Sequence, residues 1–135
     1  MMRVTVLAAF CAALACFGQV QAAPCTPGDE ECPVLLQMKP GATSITATGS
    51  VSSERPNFHF RFAAGAGQRM TLHTEGGGLK TGPGIPIAGP NGFQDAVDED
   101  TPFPLPASGA YVITLHANTM SDGPFGRFEM TLTIK

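Results

Sequence analysis

Apolar and polar side chains alternate with period two along most of the chain after Lys39. Phe58, Phe60 and Phe62 are separated by His59 and Arg61, and Met70 and Leu72 lie among Arg69, Thr71 and His73. Tyr111, Ile113 and Leu115 interleave with Val112, Thr114 and His116. In the last run, Phe128, Met130, Leu132 and Ile134 stand against Arg127, Glu129, Thr131, Thr133 and Lys135. Successive side chains of a strand point to opposite faces, so each run predicts a strand with one buried row and one solvated row. An earlier strand, rich in Thr and Ser, is predicted from Ile45 through Ala47 and Gly49 to Val51. Between the runs lie Ala64-Gly65-Ala66-Gly67, Gly76-Gly77-Gly78, Gly82-Pro83-Gly84 and Gly89-Pro90-Asn91-Gly92. These residue types serve turns, Gly by reaching positive φ and Pro by fixing φ. No stripe at helical spacing carries start and stop signals. The pattern predicts an all-β fold, an antiparallel β-sandwich in a single domain, with almost no helix.

The first residues follow a different rule. Arg3 precedes an almost unbroken apolar run from Val4 to Phe17, and polar residues return at Gln19 and Gln21. A short basic start, an apolar stretch too short to span a bilayer and small residues after it make a secretory signal peptide. Residues 1–22 are read as this leader, with cleavage after Ala22 and Ala23 as the next choice. A competing arrangement acylates Cys16, but Leu14 stands one position too close to it for a good lipobox. Removing 22 of the 135 residues leaves 113, enough for one modest core, with no integral membrane segment. The expected compartment is periplasmic or secreted.

Export changes the meaning of the cysteines. Cys11 and Cys16 leave with the signal, and Cys25 and Cys32 remain, closing a short loop with Pro27-Gly28 at its tip. The spacing is far from a redox or zinc pair, and an oxidising compartment favours a structural disulfide. Such a bridge would pin a segment over 23–40, ahead of the sandwich over 41–135. Arg3 is the one basic residue of the leader, so the exported chain carries seven basic against eleven acidic side chains, a net charge of −4. That sign disfavours nucleic acid and anionic lipid and favours a basic partner.

Candidate chemistry is sparse. His59, His73 and His116 all fall on outward positions; on neighbouring strands they would form an imidazole cluster, and otherwise they are solvated surface residues. Asp95, Asp98, Glu99 and Asp100 are the densest acidic group. They lack the ligand order of an EF-hand and read as a solvated loop, with weak calcium binding as the alternative. No nucleophile motif, catalytic triad order or phosphate loop is present, and Gly76-Gly77-Gly78 leads into Leu79-Lys80 rather than a helix. The residues thus point to no enzyme, no metal and no cofactor. A glycan-binding surface needs exposed aromatics. The chain has no Trp and one Tyr, which leaves Phe93, Phe103 and Phe125. The segment from Leu105 to Tyr111 reads as a strand-entry corner: Pro106 stiffens it, Gly109 permits a tight turn, Tyr111 points inward and Ser108 stands at the tip with a free hydroxyl.

Three segments in this order carry a resemblance: Phe58-His-Phe-Arg-Phe, Ala66-Gly-Gln-Arg-Met and Leu105-Pro-Ala-Ser-Gly-Ala-Tyr111. They are similar to the pre-peptidase C-terminal domain, a secreted bacterial β-sandwich of jelly-roll type. Together with Gly82-Pro83-Gly84-Ile85 and the ending Thr131-Leu-Thr-Ile-Lys135, they more closely resemble the periplasmic inhibitors of g-type lysozyme, over about Ile45 to Lys135. The resemblance implies a non-catalytic protein whose partner is a lysozyme. Ser108 would enter the enzyme's cleft, Gly109 would form the turn and Tyr111 would brace the loop from beneath. Asp98, Glu99 and Asp100 would help attract a basic enzyme. The wider resemblance alone implies a carbohydrate- or envelope-protein-binding module.

Overall fold

The computed structural model describes residues 24–120 and 123–135; the predicted leader, with Cys11, Cys16 and both cleavage positions, lies outside the described residues. Nine strands follow in order: β1 Val34–Leu35, β2 Ser44–Val51, β3 Asn57–Ala64, β4 Arg69–Gly76, β5 Ile85–Ala88, β6 Gln94–Val97, β7 Phe103–Pro104, β8 Gly109–His116 and β9 Gly126–Ile134. They form a five-stranded sheet in the order β1-β3-β8-β5-β6 and a four-stranded sheet in the order β2-β9-β4-β7. All pairs are antiparallel except the short parallel contact of β1 with β3. A 3-10 turn at Pro90–Gly92 is the single helical element among the described residues. The all-β antiparallel sandwich predicted from the alternation is therefore what the chain forms.

The alternation also selects the interior. Phe60, Met70, Leu72, Tyr111, Ile113, Met130 and Leu132 are fully buried, and no polar or charged residue is buried with them among the described residues. Phe58 and Phe60 have ring centroids 4.9 Å apart, and Phe58 meets the edge of Phe128 at 5.4 Å. Such tilted and edge-on contacts suit the ring quadrupoles and fill the space between the sheets. β2 contributes less to this layer: Ile45, Ala47 and Gly49 stay half-buried at the sheet's border. Gly49 is required there, because a Cβ would come within 2.6 Å of Phe128 and 2.9 Å of Phe58.

The N-terminal segment is built into this frame. Cys25 and Cys32 are disulfide-bonded, with their Cα atoms 5.7 Å apart. The loop they close lies against the border of β3: the Gly28 carbonyl accepts the His59 N–H at 2.8 Å, and the His59 ring nitrogen Nδ1 lies 3.0 Å from the same oxygen. Arg55 pairs with Asp29. β1 then continues along the border, Leu36 N–H donates to the Arg61 carbonyl at 2.7 Å, and the Leu36 side chain enters the core. The segment thus satisfies backbone groups of β3 that would otherwise face water or another chain.

Opening the bridge should loosen this cover first. In the chain-entropy view a loop this short is worth about 2–3 kcal/mol. A Cys25→Ser, Cys32→Ser double variant should lower the urea midpoint accordingly. Hydrogen exchange should report the His59 and Leu36 amides opening ahead of the Tyr111 and Leu132 amides.

Candidate functional site

The corner that opens β8 is built from four directions. Leu105 is buried, its N–H donates to the Gln68 carbonyl at 2.8 Å, and its carbonyl accepts from Gly67 N–H at 3.0 Å. This clamps the corner to the turn between β3 and β4, which the Gln68 side chain closes by accepting from Gly65 N–H at 2.6 Å. Beneath, the Tyr111 ring stacks on Phe62 with centroids 5.6 Å apart and meets the edge of Phe93. The Tyr111 hydroxyl donates to the Ala107 carbonyl and accepts from Ala107 N–H at 3.1 Å. The tyrosine is therefore both a core residue and the strut of the corner. Gly89 lies directly under its ring, where a Cβ would come within 2.4 Å of Cε1.

Gly109 has φ +146°, and a Cβ there would meet Pro90 Cγ at 2.6 Å. Backbone conformation and space both demand glycine. Ser108 is exposed at the tip as expected, but its hydroxyl is not wholly free: Oγ accepts the Ala66 N–H at 2.9 Å. The tether leaves the O–H as a donor, and among the described residues it donates to none. What the corner presents is one oriented hydroxyl on a backbone held by Ala107, Leu105, Ala66 and Pro90. The roles of Ala66, Gln68 and Pro90 were not visible in the sequence, because each acts across the sandwich from a separate turn.

Within the acidic group Asp95, Asp98 and Asp100 are exposed, and Glu99 alone is drawn partly inward. Glu99 is half-buried and accepts from both the N–H and the hydroxyl of Thr74 at 2.7 Å. Burial alone would raise its pKa, but the Thr74 hydroxyl and N–H, the Thr81 hydroxyl and nearby His73 together hold it below the ordinary value. Asp100, at φ +59°, donates its N–H to the Leu72 carbonyl at 2.8 Å, and its carboxylate lies 2.9 Å from His73 Nδ1. Asp98 is exposed, and Asp95 stands apart on β6. Thr74 lies five residues along β4 from Arg69, about 16 Å at ordinary strand rise, so the run is well removed from Ser108.

The three histidines do not cluster. His59 on β3 and His116 on β8 lie on adjacent strands of one sheet, and His73 belongs to the other, so the three imidazoles do not come together. His73 instead sits between Glu75 and Asp100, with Nε2 3.1 Å from Glu75. His73, Glu99 and Asp100 do bring one donor atom each within 4.8 Å of one another, the one such group among the described residues. The His73 ring nitrogens already face carboxylates, an arrangement that suits an imidazolium. Phe93 and Phe103 pack against the core, which leaves Phe125 as the exposed ring of the three aromatic candidates for glycan stacking.

No family model matches the chain, and no curated protein matches it in sequence. Its structure defines it as one of the small antiparallel sandwiches, and solved structures share that fold. One is Salmonella Typhimurium PliG, a periplasmic lysozyme inhibitor of g-type lysozyme. It matches with a TM-score of 0.62 and 17% identity, over 76% of this chain and 96% of that one. A mutant of Escherichia coli PliG gives 0.57 and 19% identity, covering 76% and 96%. Aeromonas hydrophila PliG gives 0.54 and 22% identity, covering 76% and 95%. At these identities the likeness is one of fold.

Two measurements test the geometry. Tyr111→Phe removes the hydroxyl that serves both Ala107 groups, and should cost about 1–3 kcal/mol in urea unfolding. Gly109→Ala should cost more, since both φ and Pro90 oppose a side chain. In NMR titration, His73 should titrate above the ordinary histidine value, raised by its hydrogen bonds to Glu75 and Asp100. His116 should titrate below it, lowered by burial and by the His59 and Lys80 charges. The signs follow by linkage. The His73 contribution is full in acid and fades as pH rises through its raised pKa. His116 opposes folding increasingly as pH falls below the ordinary value.

Proposed function

We propose that the chain is an exported, non-catalytic inhibitor of lysozyme, directed at the g-type, which acts from the periplasm. The observation that carries this reading is the Ser108 corner. A hydroxyl donor is offered at an exposed tip whose backbone is fixed by Tyr111, Ala66 and Pro90 before any partner arrives. A preorganised loop loses little conformational freedom on binding, so more of the contact energy remains as affinity. The fold shared with the PliG inhibitors supports the same reading, as do the signal-like leader and the corner motif Leu105-Pro-Ala-Ser-Gly-Ala-Tyr111.

In this mechanism the corner enters the groove that receives glycan, and Ser108 donates to a carboxylate there. Occupying the groove is sufficient, and no bond is made or broken. Asp98, Glu99 and Asp100 contribute at a distance. Standing well along β4 from Ser108, they add negative field that speeds the approach of a basic enzyme and makes association sensitive to salt.

Turbidity assays with lysozymes of several types test the proposal. The purified protein should suppress g-type activity near stoichiometry. Ser108→Ala should weaken inhibition about tenfold, or about 1.4 kcal/mol, and an Asp98→Asn, Asp100→Asn double variant should slow association chiefly at low salt. Full g-type activity in a stoichiometric excess of protein would sink the reading.

A further inference from the structure

A cleft opens on the outer face of the five-stranded sheet, at the end away from the Ser108 corner. Gly109 and His116 bound β8, so its two ends stand about 23 Å apart at ordinary strand rise. At the His116 end three segments are joined by backbone hydrogen bonds. Ala117 N–H donates to the Pro56 carbonyl at 2.8 Å, Lys80 N–H to the His116 carbonyl at 2.7 Å, and Asn118 N–H to the Gly78 carbonyl at 2.7 Å. The loop over 77–84, between β4 and β5, is thereby held beside the end of β8. The cleft measures about 520 Å³, within the range of small-molecule sites.

Its polar lining offers donors and cations. Lys80, His116, Asn57 and Thr119 supply an ammonium, an imidazole, an amide and a hydroxyl, and no carboxylate lines it. Among the described residues no carboxylate pairs with Lys80. One contact orients two of these groups: His116 Nδ1 bonds Asn57 Oδ1, which keeps the ring proton on Nδ1. The Asn57 amide N–H groups remain as donors, and Nε2 is the His116 atom that gains or loses a proton. Pro83 and Pro86 add apolar wall.

The cations here repel one another. His59 lies on the same face of β3 as Asn57, and its charge and that of Lys80 both oppose a charge on His116. Pro86, from β5, adds none. Exposed charges are screened beyond about 8 Å, so the lining, not the acidic balance of the whole chain, sets the sign inside the cleft.

We infer that the cleft is a binding site for a small anion, a phosphate or carboxylate group whose attached body rests on Pro83 and Pro86. The anion accepts from the Lys80 ammonium, the Asn57 amide and the Thr119 hydroxyl. A proton taken up at Nε2 gives His116 a charged donor toward it. The bound charge offsets the repulsion among Lys80, His59 and His116. Binding and His116 protonation therefore favour each other, and affinity rises as pH falls through the histidine range.

Titration of the purified protein at constant ionic strength, followed by amide NMR, tests this without any lysozyme. The probes are inorganic phosphate, acetate, glucose 6-phosphate and glucose. Phosphate or acetate should shift the Asn57, Lys80, His116 and Thr119 amides along a saturable millimolar curve and raise the His116 titration midpoint. Saturation by phosphate alone assigns a phosphate ester, and saturation by acetate alone a carboxylate. Glucose 6-phosphate should bind more tightly than phosphate, through the proline wall, and glucose should not bind. Lys80→Gln should weaken binding tenfold or more, Lys80→Arg should retain it, and Lys39→Gln, in the turn before β2, should leave it unchanged. Shifts that stay linear with both anions overturn the inference, and so does a saturable response that survives Lys80→Gln at full strength. The readout contains no enzyme, so a protein that inhibits no lysozyme leaves this test standing.

Discussion

Tyr111 is the residue on which the candidate site depends, because it belongs to two systems at once. Its ring is fully buried between Phe62, Phe93 and the backbone at Gly89, so its position is set by close packing. Its hydroxyl reaches the surface layer and bonds both backbone groups of Ala107. A buried phenol needs a partner for its O–H, and Ala107 supplies one from the corner itself. The precision of the core is in this way passed to Ser108, three residues before the tyrosine. A loop held only by its own turn chemistry would lack that support.

The same core explains why so little chemistry is on offer. Every inward position of the long strands is needed for the thin apolar layer between the sheets, and no polar side chain is buried there among the described residues. Polar groups are left to the outer faces and the turns, where water screens them. The His73 arrangement illustrates the limit: it is exposed, its ring is occupied by Glu75 and Asp100, and its charge follows pH. Binding through shape, hydrogen bonds and long-range field is what such a surface supports best.

Backbone accounting at the borders governs the rest. The disulfide loop and β1 cover β3, prolines blunt β7, and Asp95 marks β6. Each solution is local and inexpensive, and each leaves a recognisable residue signature. β2, the fourth border, is eight residues long and carries neither charge nor proline.

The period-two pattern by itself determined the five long strands and their buried rows, and with them the sandwich, since the alternation of Phe58, Phe60 and Phe62 or of Phe128 to Ile134 is a property of each strand alone; the short β1, β5, β6 and β7 carry no such run and were not legible. The inward Tyr111, the need for glycine at position 109 and the pairing of Cys25 with Cys32 were legible for the same reason: turn chemistry and short loop closure are local. Local pattern does not encode which strands become neighbours. Tertiary structure alone decided that His73 lies on a different sheet from His59 and His116, and that Glu99 docks on Thr74 instead of standing in solvent. It also decided that the Ser108 hydroxyl is tethered by Ala66, forty-two residues away. These contacts join segments far apart in the chain, and their geometry exists only once the two sheets have closed on their shared core.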